Sequence, residues 1–233
     1  MLTHVILLAH AATRQPPTVY TGSANTIAVI VLILEFGMLR ASLLRSQISL
    51  YAVQSAVVSI LAFVVAAVEN IPELYALAAI SFLLKVIIVP LIVLGLLRRS
   101  GQEIAGSGVV GVASEVIIAL VVSAFGFFTV GALHIDSPVL SSTALSVSFA
   151  VVLVSFVLMI LRRDVISQAI GFFSLDNGIS MTSLVVAAGL PLIIEVAFLF
   201  DLLVAVVVFA VLIRVHHSTA NTLSTVNLNR LRG

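Results

Sequence analysis

Seven apolar stretches, each close to or above the length that crosses a bilayer, leave this chain few alternatives to a membrane bundle. A spanning helix needs roughly 20 apolar residues, and a backbone in lipid must satisfy its hydrogen bonds within the helix. The stretches lie at approximately 23–44, 48–68, 74–97, 108–132, 138–161, 165–188 and 190–214. We therefore expect an all-α integral membrane protein with about seven transmembrane helices.

The composition excludes several other classes of protein. Hydrophobic residues make up 61% of the chain, charged residues 9%, and the mean hydropathy is +1.30, so a soluble domain of this kind would aggregate. With a formal net charge of +1, the chain has no basic face to bind nucleic acid. The absence of cysteine excludes disulfides, cysteine-ligated iron–sulfur clusters and thiol catalysis.

The histidines and motifs give no sign of catalysis. His4, His10, His134, His216 and His217 all lie at or outside the ends of the predicted helices, so no pair could bind a haem within the bilayer. The sequence has no glycine-rich phosphate loop, nucleophile elbow or metal-spaced cluster. We expect no catalytic residue, cofactor or metal in this chain.

Basic residues fall almost entirely on one side of the predicted bundle. With seven helices, the turns after the first, third and fifth helices share a side with the C-terminus, and basic residues that flank membrane helices stay cytoplasmic. This pattern predicts a prokaryotic cytoplasmic (inner) membrane protein with its N-terminus outside and its C-terminus in the cytoplasm. Nine of the eleven basic residues follow it: Arg40, Arg45, Arg98, Arg99, Arg162, Arg163, Arg214, Arg230 and Arg232.

Breaks between the apolar stretches divide the chain into five parts. We predict an outer tail (1–22), a three-helix unit (23–101), a connecting helix (102–137), a second three-helix unit (138–216) and a cytoplasmic tail (217–233). Lys85 and Asp201 each stand thirteen residues before an arginine, which suggests two parallel three-helix repeats joined by one helix. Chance agreement in an apolar chain is the alternative. A degenerate signal peptide is the alternative reading of the first part.

Three ionisable residues lie near the centres of apolar stretches. Lys85, Asp176 and Asp201 would each cost roughly 2.5 to 3.5 kcal/mol to insert, which favours a functional role such as moving protons. Pro90 follows Lys85 by five positions and removes the amide that would bond the Val86 carbonyl, so we expect a helix kink beside the lysine. The structural alternative is a lysine that simply pairs with a carboxylate.

Four further residues complete the predicted proton path. Glu195 precedes Asp201 nearer the outer end of its helix, as a branch of the path. Glu115 and Glu35 lie off-centre in their helices, where they could reach the membrane interface. Gln54 occupies, in the second helix, about the place that a repeat would give to Asp176.

These residues sit in segments that resemble the hydrogenase-4 component E family. The resemblance covers about residues 24–233. Its motifs are Tyr51-Ala-Val-Gln54-Ser55, Phe82-Leu-Leu-Lys85-Val-Ile-Ile-Val-Pro90, Arg163-Asp-Val-Ile-Ser-Gln168-Ala-Ile-Gly171 and Leu175-Asp176-Asn177-Gly178, with Asp201 and the tail from Thr222 to Gly233. The lysine–proline and aspartate–asparagine–glycine patterns are the more specific of these.

The resemblance implies a non-catalytic subunit of a membrane arm related to complex I, as in formate hydrogenlyase and energy-converting hydrogenases. The last three helices are similar to the K-type subunit of complex I (NADH dehydrogenase) and to the C subunit of Mrp-type antiporters. In the K-type subunit two buried glutamates carry protons, and Asp176 and Asp201 stand at the matching positions. The implied partners are antiporter-like and other membrane-arm subunits with a cytoplasmic redox module.

Two other functions remain open at this point. In the first, the chain is a structural spacer of the same arm, and its buried polar groups only fix how the helices pack. In the second, it is a small stand-alone ion transporter with a site at the bilayer midplane. The sequence does not decide between H⁺ and Na⁺ as the ion.

Overall fold

The computed structural model describes residues 19–100, 103–105, 108–132, 141–186, 203 and 205–211. Within these ranges the chain is helical and forms no β-strand. The helices are α1 (Val19–Arg40), α2 (Leu44–Glu69), α3 (Pro72–Phe82), α4 (Val89–Ser100), α5 (Val112–Ala132), α6 (Ser142–Leu161) and α7 (Val165–Val186). A π-helical segment, Leu83–Ile88, joins α3 to α4, and residues 205–211 are also helical.

Six of the predicted spans are confirmed by the length and hydropathy of these helices. They are Gly22–Arg40, Leu44–Glu69, Pro72–Arg98, Ala113–Ala132, Ser142–Leu161 and Val165–Val186. The third span is built from α3, the π segment and α4 together. Most of the seventh predicted span, and both predicted tails apart from residues 19–22, lie outside the described residues. The chain is therefore an all-α, multi-pass membrane protein.

Local signals explain where several helices begin and end. Asp164 accepts a hydrogen bond on its carboxylate from the Ser167 amide at 2.7 Å, which caps the first turn of α7. The Ser141 hydroxyl caps α6 in the same way. Asn70 ends α2 in the left-handed conformation, with φ of 53°, and Pro72 begins α3 where a missing amide costs nothing.

Two helical hairpins, α1 with α2 and α6 with α7, pack together as the centre of the bundle. Each hairpin turns over three residues, 41–43 and 162–164. In each, a glutamine side chain caps the turn: Gln47 donates to the Ala41 carbonyl at 3.0 Å, and Gln168 donates to the Arg162 carbonyl at 2.9 Å. A duplication would produce such a similarity, and the repeat itself stays a prediction.

The turns that follow α1, α4 and α6 meet at one end of the bundle. The Ala105 amide donates to the Ser42 carbonyl at 2.9 Å, and the Val109 amide donates to the Leu161 carbonyl at 2.8 Å. We call this the arginine end, because it holds Arg40, Arg45, Arg98, Arg162 and Arg163. The opposite end is the far end. Which of the two faces the cytoplasm stays the prediction made from the arginines.

Glycines let α6 and α7 approach each other closely. A Cβ atom at Gly171 would lie 2.7 Å from Cγ of Met159 and 3.1 Å from its backbone nitrogen. A Cβ at Gly178 would lie 2.8 Å from Cγ2 of Val152 and 3.1 Å from its backbone nitrogen. Small residues of this kind allow membrane helices to pack backbone against backbone. The contact fixes the rotation of α7, and with it the direction of Asp176.

Candidate functional site

Lys85 and Asp176 form an ion pair in the middle of the bundle. The lysine is 1% exposed, its Nζ contacts Oδ2 of Asp176, and it also donates to the Ser180 hydroxyl at 2.9 Å. Asp176 lies about 17 Å along α7 from its start, at roughly 1.5 Å per residue, which is half the depth of a bilayer. We call Lys85 and Asp176 the mid-bundle ion pair.

The lysine projects from a turn of π-helix rather than from a regular α-helix. Residues Leu83–Ile88 form this turn, and the Val89 amide bonds the carbonyl of Leu84, five residues back. Pro90 follows at once, with no amide to donate and a ring that would crowd the carbonyl of Val86. Where the sequence predicts a kink, the structure shows a widened turn. π turns of this kind are frequent at functional sites.

Glu35 is the centre of a second buried polar group. Its side chain is 0% exposed. Oε2 accepts from Nε2 of Gln54 at 2.8 Å and from the Ser174 hydroxyl, and Oε1 accepts from the Ser155 hydroxyl at 3.1 Å. We call these four residues the Glu35 cluster, and each comes from a different helix. Glu35 therefore does not reach the membrane interface as its sequence position allows, because α2, α6 and α7 cover it.

Hydrogen bonds extend from the Glu35 cluster toward the ion pair. Oε1 of Gln54 accepts from Nδ2 of Asn177 at 3.1 Å and lies 2.8 Å from the Ser174 hydroxyl oxygen, whose single hydrogen can turn to Gln54 or to Glu35. The same amide of Asn177 donates to the Ser55 hydroxyl at 2.8 Å. Asn177 follows Asp176 in the chain, so Gln54 connects the surroundings of both acids. The part of Gln54 in a proton path stays a prediction.

Glu115 lies apart from these groups, at the arginine end. It is 1% exposed, and its Oε2 is 3.8 Å from Nη2 of Arg162. The same nitrogen of Arg162 donates to the Leu39 carbonyl. A Cβ atom at Gly108 would overlap Oε1 of Glu115, so the loop before α5 closes over the carboxylate. The structure therefore separates Glu115 from the mid-bundle ion pair.

The sequence did not single out two residues of these sites, Ser155 and Arg162. Ser148 and Ser155 are seven residues apart in α6, which places both on one helix face and is a signal for a polar face. Arg162 reads as one more flanking arginine. Asp201 and Glu195 of the predicted path lie outside the described residues. Among the described residues, no three histidine or acidic side chains converge as metal ligands do.

Comparison with known proteins finds relatives along most of the chain. It is similar to the uncharacterized protein Rv0085 of Mycobacterium tuberculosis, with 33% identity over 175 residues that cover 72% of this chain and 77% of the relative. It is also similar to hydrogenase-4 component E of Escherichia coli K12, with 25% identity over 215 residues that cover 91% of this chain and 100% of the relative. The Shigella flexneri component E matches to the same extent. No family model and no solved structure matches the chain.

Proposed function

Since the chain belongs to the same family as Rv0085 of Mycobacterium tuberculosis, and is a homologue of hydrogenase-4 component E, we propose that it is a membrane subunit of a hydrogenase-type complex. Its role there is to carry protons through the middle of the bundle. Redox chemistry takes place in partner subunits, and this chain supplies groups that take up and release protons as that chemistry proceeds.

The mid-bundle ion pair is the observation that carries this proposal. A lysine and an aspartate each bind one proton reversibly, and their contact lets a proton pass between them directly. Two such groups titrate as a unit, so a change in one alters the proton affinity of the other. Ionisable residues inside a membrane bundle are rare because of their insertion cost, and they mark ion pathways.

The Glu35 cluster supports a path that continues from the ion pair toward the arginine end. The hydroxyls of Ser155 and Ser174 can pass a proton by donating one and accepting another, and the amide of Gln54 holds Ser174 and Glu35 in position. Glu115, at the arginine end, is the terminal acid of the path in this proposal. Asp201, with Glu195 as its branch, continues the path toward the neighbouring subunit.

The wider assignment follows from the resemblance to component E. We infer that the complex belongs to the complex I-related group that includes formate hydrogenlyase, with α6, α7 and the following helix in the role of a K-type subunit. Antiporter-like subunits would flank the chain in the membrane. The ion in this proposal is H⁺ rather than Na⁺, because the ammonium of Lys85 already occupies the cation position beside Asp176.

Proton movement by the assembled complex tests the proposal. In membrane vesicles that hold the whole complex, proton uptake driven by the hydrogenase reaction is measured. Asp176→Asn and the double variant Asp176→Ala with Asp201→Ala should each lower this uptake at least tenfold. A pH-sensitive dye measures the uptake, and the yield of complex shows that it assembles. The matched control is Glu103→Gln, which changes an acid that is 64% exposed. Unchanged uptake in both Asp176 variants would contradict the proposal.

A spacer function is the second candidate, and the Glu35 cluster is the observation that favours it. A carboxylate that accepts three hydrogen bonds from three other helices fixes how those helices pack, whether or not a proton moves. This function predicts that Asp176→Asn and Lys85→Met leave turnover intact and weaken assembly. A stand-alone transporter, the third possibility, would purify in mild detergent without partners.

A further inference from the structure

A cavity lies against the mid-bundle ion pair on the side that faces the far end. Its volume is about 50 Å³. It is lined by Val58, Ser59, Ala62, Leu74, Leu77, Ala78, Ser81, Lys85, Asp176, Ser180, Ser183 and Leu184. Leu74 is near the start of α3 and Leu184 is near the end of α7, so the lining runs from the ion pair in mid-bundle toward the far end.

Two hydroxyl groups of the lining have no hydrogen-bond partner among the described residues. Four serines face the cavity: Ser59, Ser81, Ser180 and Ser183. Ser59 is 2% exposed, and neither its hydroxyl nor that of Ser183 has a hydrogen-bond partner within the described part of the chain. A buried polar group left without a partner costs about 1–3 kcal/mol. These two hydroxyls therefore need a further hydrogen-bond partner inside the cavity.

Water meets the requirements of this cavity. A buried water needs a space of roughly 10–15 Å³ and two to four polar partners, and the cavity offers several times that space with serine hydroxyls on its walls. A metal cation fits less well, because the ammonium of Lys85 lines the same cavity and would repel it at short range. The residues that line the cavity therefore favour water over a metal cation as its occupant.

The opposite side of the ion pair is closed by aromatic packing. Tyr51 and Phe173 are each 1% exposed, and their ring centroids are 5.8 Å apart. Both lie nearer to the arginine end than Asp176 does, since Tyr51 is early in α2 and Phe173 precedes Asp176 by one turn of α7. The arrangement is asymmetric, with a serine-lined cavity on one side of the pair and two packed aromatic rings on the other.

We propose that the serine-lined cavity holds a chain of water molecules that gives the mid-bundle ion pair access to protons from the far end. Protons reach Asp176 and Lys85 through this water and leave toward the arginine end through the hydrogen-bonded side chains of the Glu35 cluster. The direction of travel rests on the proposed function. The presence of water in the cavity does not.

Single cysteines report directly on water in the cavity, because the natural chain contains none. A thiol reacts as its thiolate, which forms where water reaches it. We would place Ser59→Cys and Ser183→Cys in the full chain within its complex, in intact cells. The matched controls are Ile60→Cys and Val186→Cys, at nearly the same depths but 52% and 45% exposed on the outer surface of the bundle, away from the cavity. Ag⁺ is small enough to enter a water-filled cavity of this size.

After a brief Ag⁺ treatment, denaturation and labelling with a fluorescent maleimide show how many thiols remain free. We expect the cysteines at positions 59 and 183 to be blocked at least tenfold faster than their controls, when Ag⁺ is applied from the side of the far end. Equal rates at cavity and control positions would overturn the proposal. So would faster blocking from the arginine end in inverted vesicles.

The Ag⁺ experiment tests the water-filled cavity, and the proton-uptake experiment tests the proposed function, so the two can fail separately. If the cavity cysteines do not react and Asp176→Asn still abolishes proton uptake, the water-filled cavity is wrong and the proposed function stands. If they react and Asp176→Asn has no effect on uptake, the cavity contains water and the proposed function is wrong.

Discussion

Lys85 and Asp176 stand on helices that are far apart in the sequence, yet the ammonium of one contacts the carboxylate of the other in the middle of the bundle. Each lowers the cost of burying its partner's charge. The pair therefore has two separable properties: it holds the π segment against α7, and it provides two proton-binding groups in contact. Substitutions can remove one property and leave the other.

The first prediction separates these properties with a double variant. Lys85→Met alone leaves a buried carboxylate without its cation, and Asp176→Leu alone leaves a buried ammonium without its anion. Each should lower the free energy of unfolding by about 3 kcal/mol, the low end of the range for broken buried pairs, since Asp176 is 15% exposed. The double variant should recover most of the stability and none of the proton uptake.

Thermal unfolding of the purified complex in detergent measures the stability of the three variants. A pH-sensitive dye measures their proton uptake in vesicles. A double variant that is less stable than both single variants would show that the charges do not compensate each other.

The second prediction concerns Glu35 and uses two substitutions. Glu35→Gln keeps an acceptor for Gln54 and Ser174, and Ser155 can accept from the new amide because its hydroxyl also donates to the Val151 carbonyl at 2.9 Å. Stability should change by about 1 kcal/mol. Glu35→Leu removes both acceptor oxygens. The hydroxyls of Ser155 and Ser174 can still donate to the Val151 carbonyl and to Oε1 of Gln54, so the main loss is the acceptor for Nε2 of Gln54, and the cost should be about 1–3 kcal/mol.

Proton uptake distinguishes a path from a scaffold at Glu35. If Glu35 carries protons, both variants lose uptake at least tenfold, although Glu35→Leu unfolds at the lower temperature of the two. Normal uptake in Glu35→Gln would remove Glu35 from the path and leave it a structural role.

The spans were predictable because their signal is local. Length and hydropathy decide whether a helix can cross a bilayer, and neither depends on the neighbours. Lys85 and Asp176 stood out for the same reason, since the cost of burying a charge can be read from one segment alone. Six of seven spans are confirmed in this way.

The partners of the buried groups were not predictable, because these helices are apolar on nearly every side. Periodicity then does not say which face meets protein and which meets lipid. Glu35 shows the consequence: five residues from Arg40, it could have reached the interface, yet three neighbouring helices cover it. The contact between Lys85 and Asp176 likewise depends on the glycine contact of α6 with α7 and on the π turn.

The third prediction tests that glycine contact. Gly178→Ala would bring a methyl group to within 2.8 Å of Cγ2 of Val152 and 3.1 Å of its backbone nitrogen, so α7 must move. We expect a loss of about 1–3 kcal/mol in unfolding free energy. Asp176 should shift as well, so proton uptake falls severalfold.

Gly95→Ala in α4 is the matched control. No atom within the described residues lies within 4 Å of the position that its methyl group would take, and alanine favours a helix over glycine by about 0.5–1 kcal/mol. Its melting temperature should stay the same or rise. A Gly178 variant as stable and active as the Gly95 variant would mean that α7 tolerates a wider spacing from α6.

The last prediction compares two ion pairs at the arginine end. Arg162→Met leaves Glu115 buried without the guanidinium that lies 3.8 Å from it, and no hydrogen-bond donor within the described residues reaches either carboxylate oxygen of Glu115. Stability should fall by about 3–5 kcal/mol.

Arg45→Met is the exposed control. It breaks a shorter contact, 3.1 Å to Glu103, but both side chains are more than half exposed, so the loss of stability should stay below about 1 kcal/mol. Thermal unfolding at low and high salt checks both, because only an exposed pair is screened. Equal losses in the two variants would mean that burial does not strengthen the pair between Glu115 and Arg162.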